Sequence, residues 1–484
     1  MNDLIFRDQN ESLASRASAH SEASTSTTAS ASNSQSRQPS PVRDKAATAY
    51  FFQHFITPGH LSFLEGTSPD EVLLKTILAC GMAGRANRDG DLRGREVARR
   101  YYVEAIAATN AALRHPKRVK EDTTLTSVYL LGLFERLTWE AHASIESWKQ
   151  HVQGSAQLLQ LRGHDQIRTP TGAALFRDLR ASIIANCLWC ETQAPEYLVQ
   201  WTQTLEFDPM YTPADSLALI AARVTFLKSA LRTGDKDDAE LLDIAAKIEA
   251  DLLDWSEDTL AGGCVCSFHS VTDLVSDHSW NGERHEYAMP HSIRYWNMWR
   301  CLRLLVSWVQ EAVWRRSWPR IPQTPPSPEH FRTTRDRIAV DICVAAAYAL
   351  GNDSAAEPPR GSVSSGYLFI TPLSLAGICL LEQLAEPMVT PGGSKVIHTD
   401  EPLHLDPLSR TSTQLAWIIE RMDYIGNKIG ISCATAVNRF LKGESKVLYD
   451  LGRSRVIMNT EVSADIQSDK LDLSTVAITV GLDG

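Results

Sequence analysis

Two polar side chains on one helix-like stretch are the first candidates for chemistry. Residues 148–163 read WKQHVQGSAQLLQLRG, with His151 near the start and Arg162 at the end. At 3.6 residues per turn, Trp148 and Leu159 share a face with Arg162, and His151 lies at its edge. Metal or acid–base chemistry needs a second polar group within reach, yet no histidine, cysteine or carboxylate lies three or four residues from His151. We therefore predict that His151 and Arg162 are structural.

Two glycines in the same stretch predict how the helix packs and ends. Gly154 lies inside it, where glycine costs roughly 1 kcal/mol relative to alanine, so we expect it to permit a close helix crossing. Gly163 is expected to end the helix in the left-handed conformation, and the Arg162 cation suits the negative end of the helix dipole.

One cysteine pair has a spacing that could bind metal or exchange a disulfide. Cys187 and Cys190 have the C-x-x-C spacing, but they lie inside the apolar run ASIIANCLWC and no second C-x-x-C accompanies them. Free cysteine packs as a small apolar residue, so we interpret them as a core pair.

A second cluster, around Cys264 and Cys266, is followed by His269. A zinc site there could also recruit Asp273, Asp277 or His278. Structural zinc requires closely paired ligands from two elements and a supporting second shell, which this spacing does not supply. We predict no metal and no cofactor.

Standard catalytic and nucleotide-binding motifs are missing from the sequence. It contains no G-x-G-x-x-G after a strand, no P-loop, no H-E-x-x-H and no G-x-S-x-G elbow. We therefore predict a protein that is not an enzyme.

Two tryptophans lie in the helix-like run IRYWNMWRCLRLLVSWVQEAVW. Trp299 shares a helical stripe with Leu302 and Val306, Trp296 lies at its edge, and Trp308 points away. Such a stripe could line a ligand pocket, although packing in a core is the commoner role of large aromatic side chains. We interpret the stripe as core and keep Trp296 and Trp299 as candidate ligand-pocket residues.

A basic string joins two of the helical segments. Lys117, Arg118 and Lys120 follow Pro116 in the K-R-x-K pattern that nuclear import receptors bind. The alternative is a solvated turn between helices. If the string is an import signal, it would direct the protein to the nucleus.

The periodicity predicts an all-α fold with a large multi-helix body. Residues 1–44 are rich in Ser, Ala and Thr and are predicted to be disordered; 45–458 form the helical body; 459–484 form an acidic-apolar tail suited to coactivator grooves. Alternation typical of strands is confined to LSTVAITV near the C-terminus. Residues 256–288 and 387–410 are predicted to be surface loops.

Composition narrows the classes of partner. The net charge is −10, so the chain as a whole is not built to bind a phosphate backbone, and nucleic-acid contact would need a local patch or a partner protein. Nine irregularly spaced cysteines favour a reducing compartment. Because no run approaches the roughly 18 apolar residues that span a bilayer, we expect a soluble intracellular protein without membrane contact.

Three stretches, LTSVYLLGLFERL, SWKQHVQGSAQLLQLRG and TGAALFRDLR, resemble in this order the regulatory (middle-homology) domain of fungal Zn2Cys6 binuclear-cluster transcription factors. That family shows L-x-x-x-x-L-x-x-L-F/Y-E, then W-x-x-H-x-x-G-A-x-x-L-L-x-x-R-G. Ser155 stands where alanine is usual. The matching positions are Leu125, Leu130, Leu133, Phe134, Glu135, Trp148, His151, Gly154, Leu158, Leu159, Arg162 and Gly163.

Later motifs extend the resemblance from about residue 46 to 445, with Thr371 in place of the family's tryptophan. They are Asp341-Ile342-Cys343, Leu350-Gly351, Gly366-Tyr367, Pro372-Leu373, Arg421, Ile425-Gly426 and Gly430-Ile431. The family's DNA-binding module, a six-cysteine cluster that holds two zinc ions, has no counterpart here, because the first cysteine is Cys80.

The resemblance implies a transcription regulator without its own zinc cluster, of a kind that often controls metabolic or secondary-metabolite gene clusters. Protein partners are expected: a zinc-bearing relative, a second copy of the chain, or coactivators. Contact with DNA would then be indirect, and a small-molecule effector is a further expectation. The alternative is a helical enzyme or small-molecule binding protein built on the same scaffold, with Trp296, Trp299 and residues 256–288 lining its pocket.

Overall fold

The computed structural model describes residues 41–139, 142–205, 212–261, 266–272, 279–317, 328–350, 361–385 and 407–444. Over these residues the all-α prediction is confirmed, with one small sheet in addition. The chain divides into two compact units: Met1–Gln53 with Phe63–Leu179, and His54–Ser62 with Arg180–Gly484. The predicted tail 459–484 and the strand-like LSTVAITV lie outside the described residues, as do 1–40 and 387–406.

The first unit is built from the N-terminal helices. They are α1 (Pro41–His54), α2 (Glu71–Arg88), α3 (Leu92–Leu113), α4 (Asp122–Leu137), α5 (His142–Arg162) and the start of α6 (Pro170–Cys190), with short 3-10 turns at Arg118–Lys120 and His164–Arg168. Residues 41–44 correct the predicted boundary of the disordered segment, because they form the first turn of α1.

Helices α2 and α4 pack side by side in the first unit. Asn87 Nδ2 donates to the Leu137 carbonyl at 2.7 Å, and Cys80 Sγ lies 3.3 Å from the Leu130 carbonyl. Because partner numbers rise together along both helices, the two helices are parallel. Helix α1 crosses α2 closely at Gly81, where an added Cβ would lie 2.1 Å from the Ala47 carbonyl oxygen.

The second unit contains the remaining helices and a two-stranded sheet. They are α7 (Glu196–Thr204), α8 (Pro213–Thr233), α9 (Asp238–Leu260), β1 (Phe268–Thr272), β2 (Glu283–Tyr287), α10 (Ile293–Ser317), α11 (Pro328–Leu350), α12 (Ser362–Ala385), α13 (Pro407–Asp423) and α14 (Ser432–Leu441), with a π-helical turn at Tyr424–Ile429. Helices α9 and α10 are antiparallel, because Trp299 Nε1 donates to the Leu252 carbonyl while Arg316 pairs with Asp238.

The β1–β2 hairpin corrects the prediction of a surface loop over 256–288. The strands are antiparallel with Phe268 opposite Tyr287 and Thr272 opposite Glu283. A local signal stands at the start of β2: Asn281 and Gly282 both have positive φ, the conformation that Asn-Gly adopts in a tight turn, and this turn joins Trp280 to Glu283.

Helix α12 corrects the expectation that no run is apolar enough to span a bilayer. Ser362–Leu384 is long and apolar enough by length and composition, but 72% of the qualifying window is buried inside the protein. Two buried histidines of the 54–62 segment contact its start: His54 Nδ1 lies 3.0 Å from Ser362 Oγ, and His60 Nδ1 lies 2.9 Å from Ser364 Oγ. A helix in these contacts is a core element of the second unit.

Candidate functional site

The family-signature residues meet where α5 crosses α4 in the first unit. Trp148 and His151 are buried and face Gly132 of α4, where an added Cβ would lie 3.3 Å from His151 Cβ and 3.6 Å from Trp148 Cδ1. Arg136, one turn further along α4, places its guanidinium 5.4 Å from the Trp148 ring. The close crossing expected from a glycine is therefore made at Gly132, and Gly154 itself lies half-buried on α5.

A buried hydrogen-bonded chain links three helices at this crossing. Tyr102, from α3, stacks on Phe134 with ring centroids 4.2 Å apart and donates its hydroxyl proton to Glu135 Oε1. His151 Nε2 lies 3.1 Å from the same hydroxyl oxygen. Since the hydroxyl uses its only proton in the hydrogen bond to Glu135, its oxygen accepts from His151 Nε2–H, which fixes the imidazole tautomer.

We call these three hydrogen-bonded residues, Tyr102, Glu135 and His151, the first network. Burial sets the protonation states of its members. Burial raises the pKa of Glu135 to about 7, opposed by the Tyr102 hydrogen bond and the Arg99 charge. Burial also lowers the pKa of His151 to about 3, so the imidazole is neutral. The histidine therefore acts as a neutral donor inside the core, which agrees with the structural interpretation.

The end of α5 is held by an ion pair. Arg162 donates through Nη2 to Asp122 Oδ1 at the start of α4; its side chain is 8% exposed and that of Asp122 is 41% exposed. Gly163 follows with φ +81° and ψ 175°. The positive φ agrees with the prediction, but the ψ value places Gly163 outside the left-handed helical region that was expected.

The candidate aromatic pocket in the second unit is occupied by the protein's own side chains. Trp296 is 1% exposed, and its ring centroid lies 5.1 Å from Trp255, 4.7 Å from Phe268 of β1 and 5.5 Å from Trp299. Its Nε1 donates to the Cys266 carbonyl at 2.8 Å. The hairpin thus packs over the tryptophan stripe, and a ligand would have to displace it.

The half-buried Trp299 is held on its other edge. Its Nε1 donates to the Leu252 carbonyl at 2.6 Å, and the Arg303 guanidinium lies 4.9 Å from its ring. Trp308 points elsewhere, as predicted, and donates to Glu382 of α12 at 2.9 Å.

A charged cluster that sequence reasoning missed lies beneath the hairpin. The Arg300 side chain is fully buried and donates to Asp341, to Tyr287 Oη at 3.2 Å and to Asn297 Oδ1 at 3.1 Å. His285 Nδ1 lies 3.2 Å from Arg300 Nη2, and His285 Nε2 lies 3.3 Å from Asp341 Oδ1. Because arginine only donates, Nδ1 accepts and Nε2 carries the proton that bonds Asp341.

This second network (His285, Tyr287, Asn297, Arg300 and Asp341) keeps its charges paired. Burial lowers the pKa of His285 to about 4, so the imidazole is neutral. Burial would also lower the pKa of Arg300, but the nearby Asp341 carboxylate outweighs it and raises that pKa. The aspartate of the Asp341-Ile342-Cys343 motif therefore neutralises the one charge that would be most costly to bury alone.

The basic string forms a folded turn. Lys117 and Lys120 are exposed, whereas Arg118 is half-buried, 3.5 Å from Asp70 and 3.9 Å from Glu121. Val119 between them is buried, and residues 118–120 form a 3-10 helix. A receptor that needs an extended peptide would have to unwind this turn, so its role in nuclear import stays a prediction.

The cysteines are mostly buried thiols in the described part of the chain. Burial raises the pKa of Cys187, and Cys190 is half-buried. Cys266 is buried and His269 is exposed, 3.7 Å from Glu286. Cys264, Asp273, Asp277 and His278 lie outside the described residues, and no metal-binding group occurs among those that are described.

Comparison with known families identifies the first half of the chain. Residues 33–262 match the family model of the fungal specific transcription factor domain. This match confirms the resemblance predicted from the motifs; the motifs beyond residue 262 lie outside the matched range. The domain supports a role in transcription regulation, and therefore a nuclear one, and suggests a protein that is not an enzyme. No curated protein and no solved structure matches the chain.

Proposed function

We propose that the protein is a transcription regulator of the Zn2Cys6 class that controls a metabolic or secondary-metabolite gene cluster. The match of residues 33–262 to the fungal specific transcription factor domain carries the proposal. The motifs that follow in family order, from Asp341 to Ile431, support it.

Sequence-specific DNA recognition is proposed to come from a partner. The nine cysteines of the sequence include none arranged as C-x2-C-x6-C, the spacing that carries the zinc-cluster helix into the major groove. A zinc-bearing relative, dimerised with this chain, would supply that helix. Mapping the 5′ end of the native transcript tests this: an in-frame upstream exon with six cysteines at cluster spacing would overturn it.

The character of the two buried networks supports regulation over catalysis. In both networks the histidine is neutral; His151 contacts Tyr102 through Nε2, and His285 contacts Arg300 and Asp341 through its two ring nitrogens. A general base needs access to a substrate proton, and neither histidine is exposed. The hairpin packed on Trp296 weighs against the small-molecule alternative for the same reason.

Activation is proposed to run through residues 459–484. Glu461, Asp465, Asp469, Asp472 and Asp483 alternate with apolar residues there, a composition suited to coactivator grooves. Fusing the full chain to a foreign DNA-binding domain upstream of a reporter tests this directly, because the fusion needs no DNA contact of its own.

The fusion is expected to activate the reporter, and deleting 459–484 is expected to abolish most of that activation at equal protein level. A matched variant that keeps the segment but carries Asp465→Asn, Asp469→Asn and Asp472→Asn separates charge from length. Unchanged activation after the deletion would remove the role of the tail. An inert full-length fusion, in cells where its target genes respond, would contradict the regulator itself.

A further inference from the structure

A row of solvent-exposed cations on α3 and the turn after it stands apart from the acidic character of the chain. Helix α3 buries one side, which includes Val97, Tyr101 and Ala105, and exposes the other. The exposed cations of α3 and the following turn that form no ion pair within the described part of the protein define what we call the basic surface: Arg93, Arg95, Arg100, Arg114, Lys117 and Lys120.

The spacing of these residues puts several of them on one line. Arg93, Arg100 and Arg114 are separated by 7 and 14 residues, which are close to whole numbers of helical turns, so they share one face. At 1.5 Å per residue the rise is about 10 Å from Arg93 to Arg100 and about 21 Å from Arg100 to Arg114. The surface is therefore an extended track of positive charge.

We propose that the basic surface binds the phosphate backbone of double-stranded DNA without reading its sequence. Phosphates form a regular row of negative charge, and arginine and lysine that neutralise them release condensed counterions. A rise of about 21 Å can place cations on the two strands that flank a major groove about 12 Å wide. Between Arg100 and Arg114 the exposed side chains of the helix are Val103, Glu104, Ala107 and Ala111, so Glu104 is the one long side chain that a duplex meets there.

Other partners fit this surface less well. Single-stranded nucleic acid is bound through exposed aromatic rings, but Tyr101 and Tyr102, the aromatic residues of α3, are both buried. Protein interfaces centre on aromatic and other large apolar anchors, whereas the exposed large apolar residues of α3 are Leu92 and Val103 alone. Two carboxylates, Glu96 and Glu104, share the exposed side, so the expected contact is of moderate strength.

The inference rests on the proposed function, regulation of transcription through a DNA-binding partner, and adds a direct contact of this chain with DNA. A partner would choose the site, and the basic surface would strengthen the complex by contacts to phosphates beside that site. Phosphate contacts set orientation and affinity but carry no sequence information.

The test measures binding of the full chain to a short fluorescein-labelled duplex of arbitrary sequence by anisotropy, from about 50 to 200 mM NaCl. We expect measurable binding that weakens steeply with salt, with a log–log slope that becomes less negative by roughly one for each phosphate contact removed. Arg93→Gln, Arg95→Gln and Arg100→Gln together should weaken binding by about tenfold or more at the lower salt, as should Arg114→Gln, Lys117→Gln and Lys120→Gln.

A charge-matched control comes from the second unit. Arg337, Lys428 and Lys442 are exposed and form no ion pair within the described residues, so their combined glutamine variant removes the same charge elsewhere. It should bind DNA like the wild type. All variants should keep the wild-type melting temperature, because the altered side chains are exposed.

Three results would overturn the proposal. They are no binding at the lowest salt, equal weakening by the control variant, or displacement by polyglutamate as efficiently as by unlabelled duplex, which would assign the surface to an acidic protein. The tethered reporter, in which the full chain is fused to a foreign DNA-binding domain upstream of a reporter, keeps this test separate from the proposed function. The basic-surface variants should activate it normally, so a failed DNA assay with an active fusion contradicts only the phosphate contact.

Discussion

The two buried networks place a carboxyl group in opposite electrostatic settings. In the first network, Glu135 is buried beside a tyrosine hydroxyl and a neutral histidine, and its pKa rises to about 7. In the second, Asp341 bonds the fully buried Arg300, and the carboxylate raises the pKa of the guanidinium against the effect of burial. Glu135 is therefore costly to ionise, whereas Asp341 is needed in its ionised form.

The difference shows that the negative charge of a motif's acidic residue can either stabilise or destabilise the fold. Replacing a carboxyl by its amide removes a charge without much change in shape. At Asp341 this replacement should destabilise the second unit. At Glu135 it should stabilise the first unit above neutral pH, because the cost of burying an ionised carboxylate is removed. Both carboxyl groups make contacts in the core, so the opposite effects follow from their partners: the Arg300 cation for Asp341 and the Tyr102 hydroxyl for Glu135.

The largest effect is expected for Asp341→Asn. It leaves the Arg300 charge buried with only neutral partners, Tyr287 and Asn297, which typically costs about 3–5 kcal/mol. Because Asp341 is 30% exposed and water can partly replace it, we expect about 3 kcal/mol, read as a large fall in the denaturation midpoint.

The matched comparison is the double variant Arg300→Met with Asp341→Asn. Removing the buried cation as well should recover part of the loss, because no uncompensated charge remains. A single Asp341→Asn variant as stable as the wild type would show that the carboxylate is dispensable and break the contrast between the networks.

The second effect is the pH dependence that Glu135 confers. Its pKa in the folded state is about 7, against an ordinary value of 4.5, so the folded state holds more protons than the unfolded state between pH 4.5 and 7. Its contribution to stability is fully present below pH 4.5 and is lost as the pH rises through 7, by about 3 kcal/mol in all. Glu135→Gln should not show this loss.

The stability contribution of His151 changes with pH in the opposite direction, and its pH range overlaps that of Glu135. Its folded pKa of about 3 lies below the ordinary 6.5, so its contribution is present above pH 6.5 and is lost as the pH falls toward 3. The measurement is therefore the difference in denaturation midpoint between wild type and Glu135→Gln at pH 5, 6, 7 and 8. Glu104→Gln, an exposed carboxyl on α3, is the control; a constant difference across this range would contradict the raised pKa.

Local signals allowed part of this architecture to be predicted from the sequence. Thr212 and Asp215 have the residue types and spacing of a capping box and form one at α8, with the Thr212 N–H 3.0 Å from Asp215 Oδ2. At α2 the sequence offers two cap residues, Ser68 and Asp70, and it is Asp70 that accepts from the Leu73 N–H at 2.9 Å. Both side chains are good caps, and the choice between them depends on where the chain enters the helix.

Partners that come from distant elements could not be predicted. Tyr102 lies on a different helix from both Glu135 and His151, so no spacing within α5 indicates it. Asp341 was noticed as a motif residue, but its role depends on Arg300, 41 residues earlier. The hairpin strands FHSVT and ERHEY lack a clean alternation of polar and apolar residues, and their placement depends on packing against Trp296.

The smallest effect is expected for Arg162→Ala in the first unit. The substitution removes a mostly buried cation together with its pair, and leaves Asp122 exposed enough to be hydrated. We expect a loss of about 1–2 kcal/mol, less than for Asp341→Asn, because no buried charge is left behind. Arg168→Ala, whose pair with Asp165 is on the surface, should change stability by less than about 0.5 kcal/mol.

Thermal denaturation and the tethered reporter, normalised to protein level, measure stability and function separately. A normal melting temperature with abolished reporter activity would show that Arg162 binds a partner, and the structural interpretation of the signature helix would then be wrong.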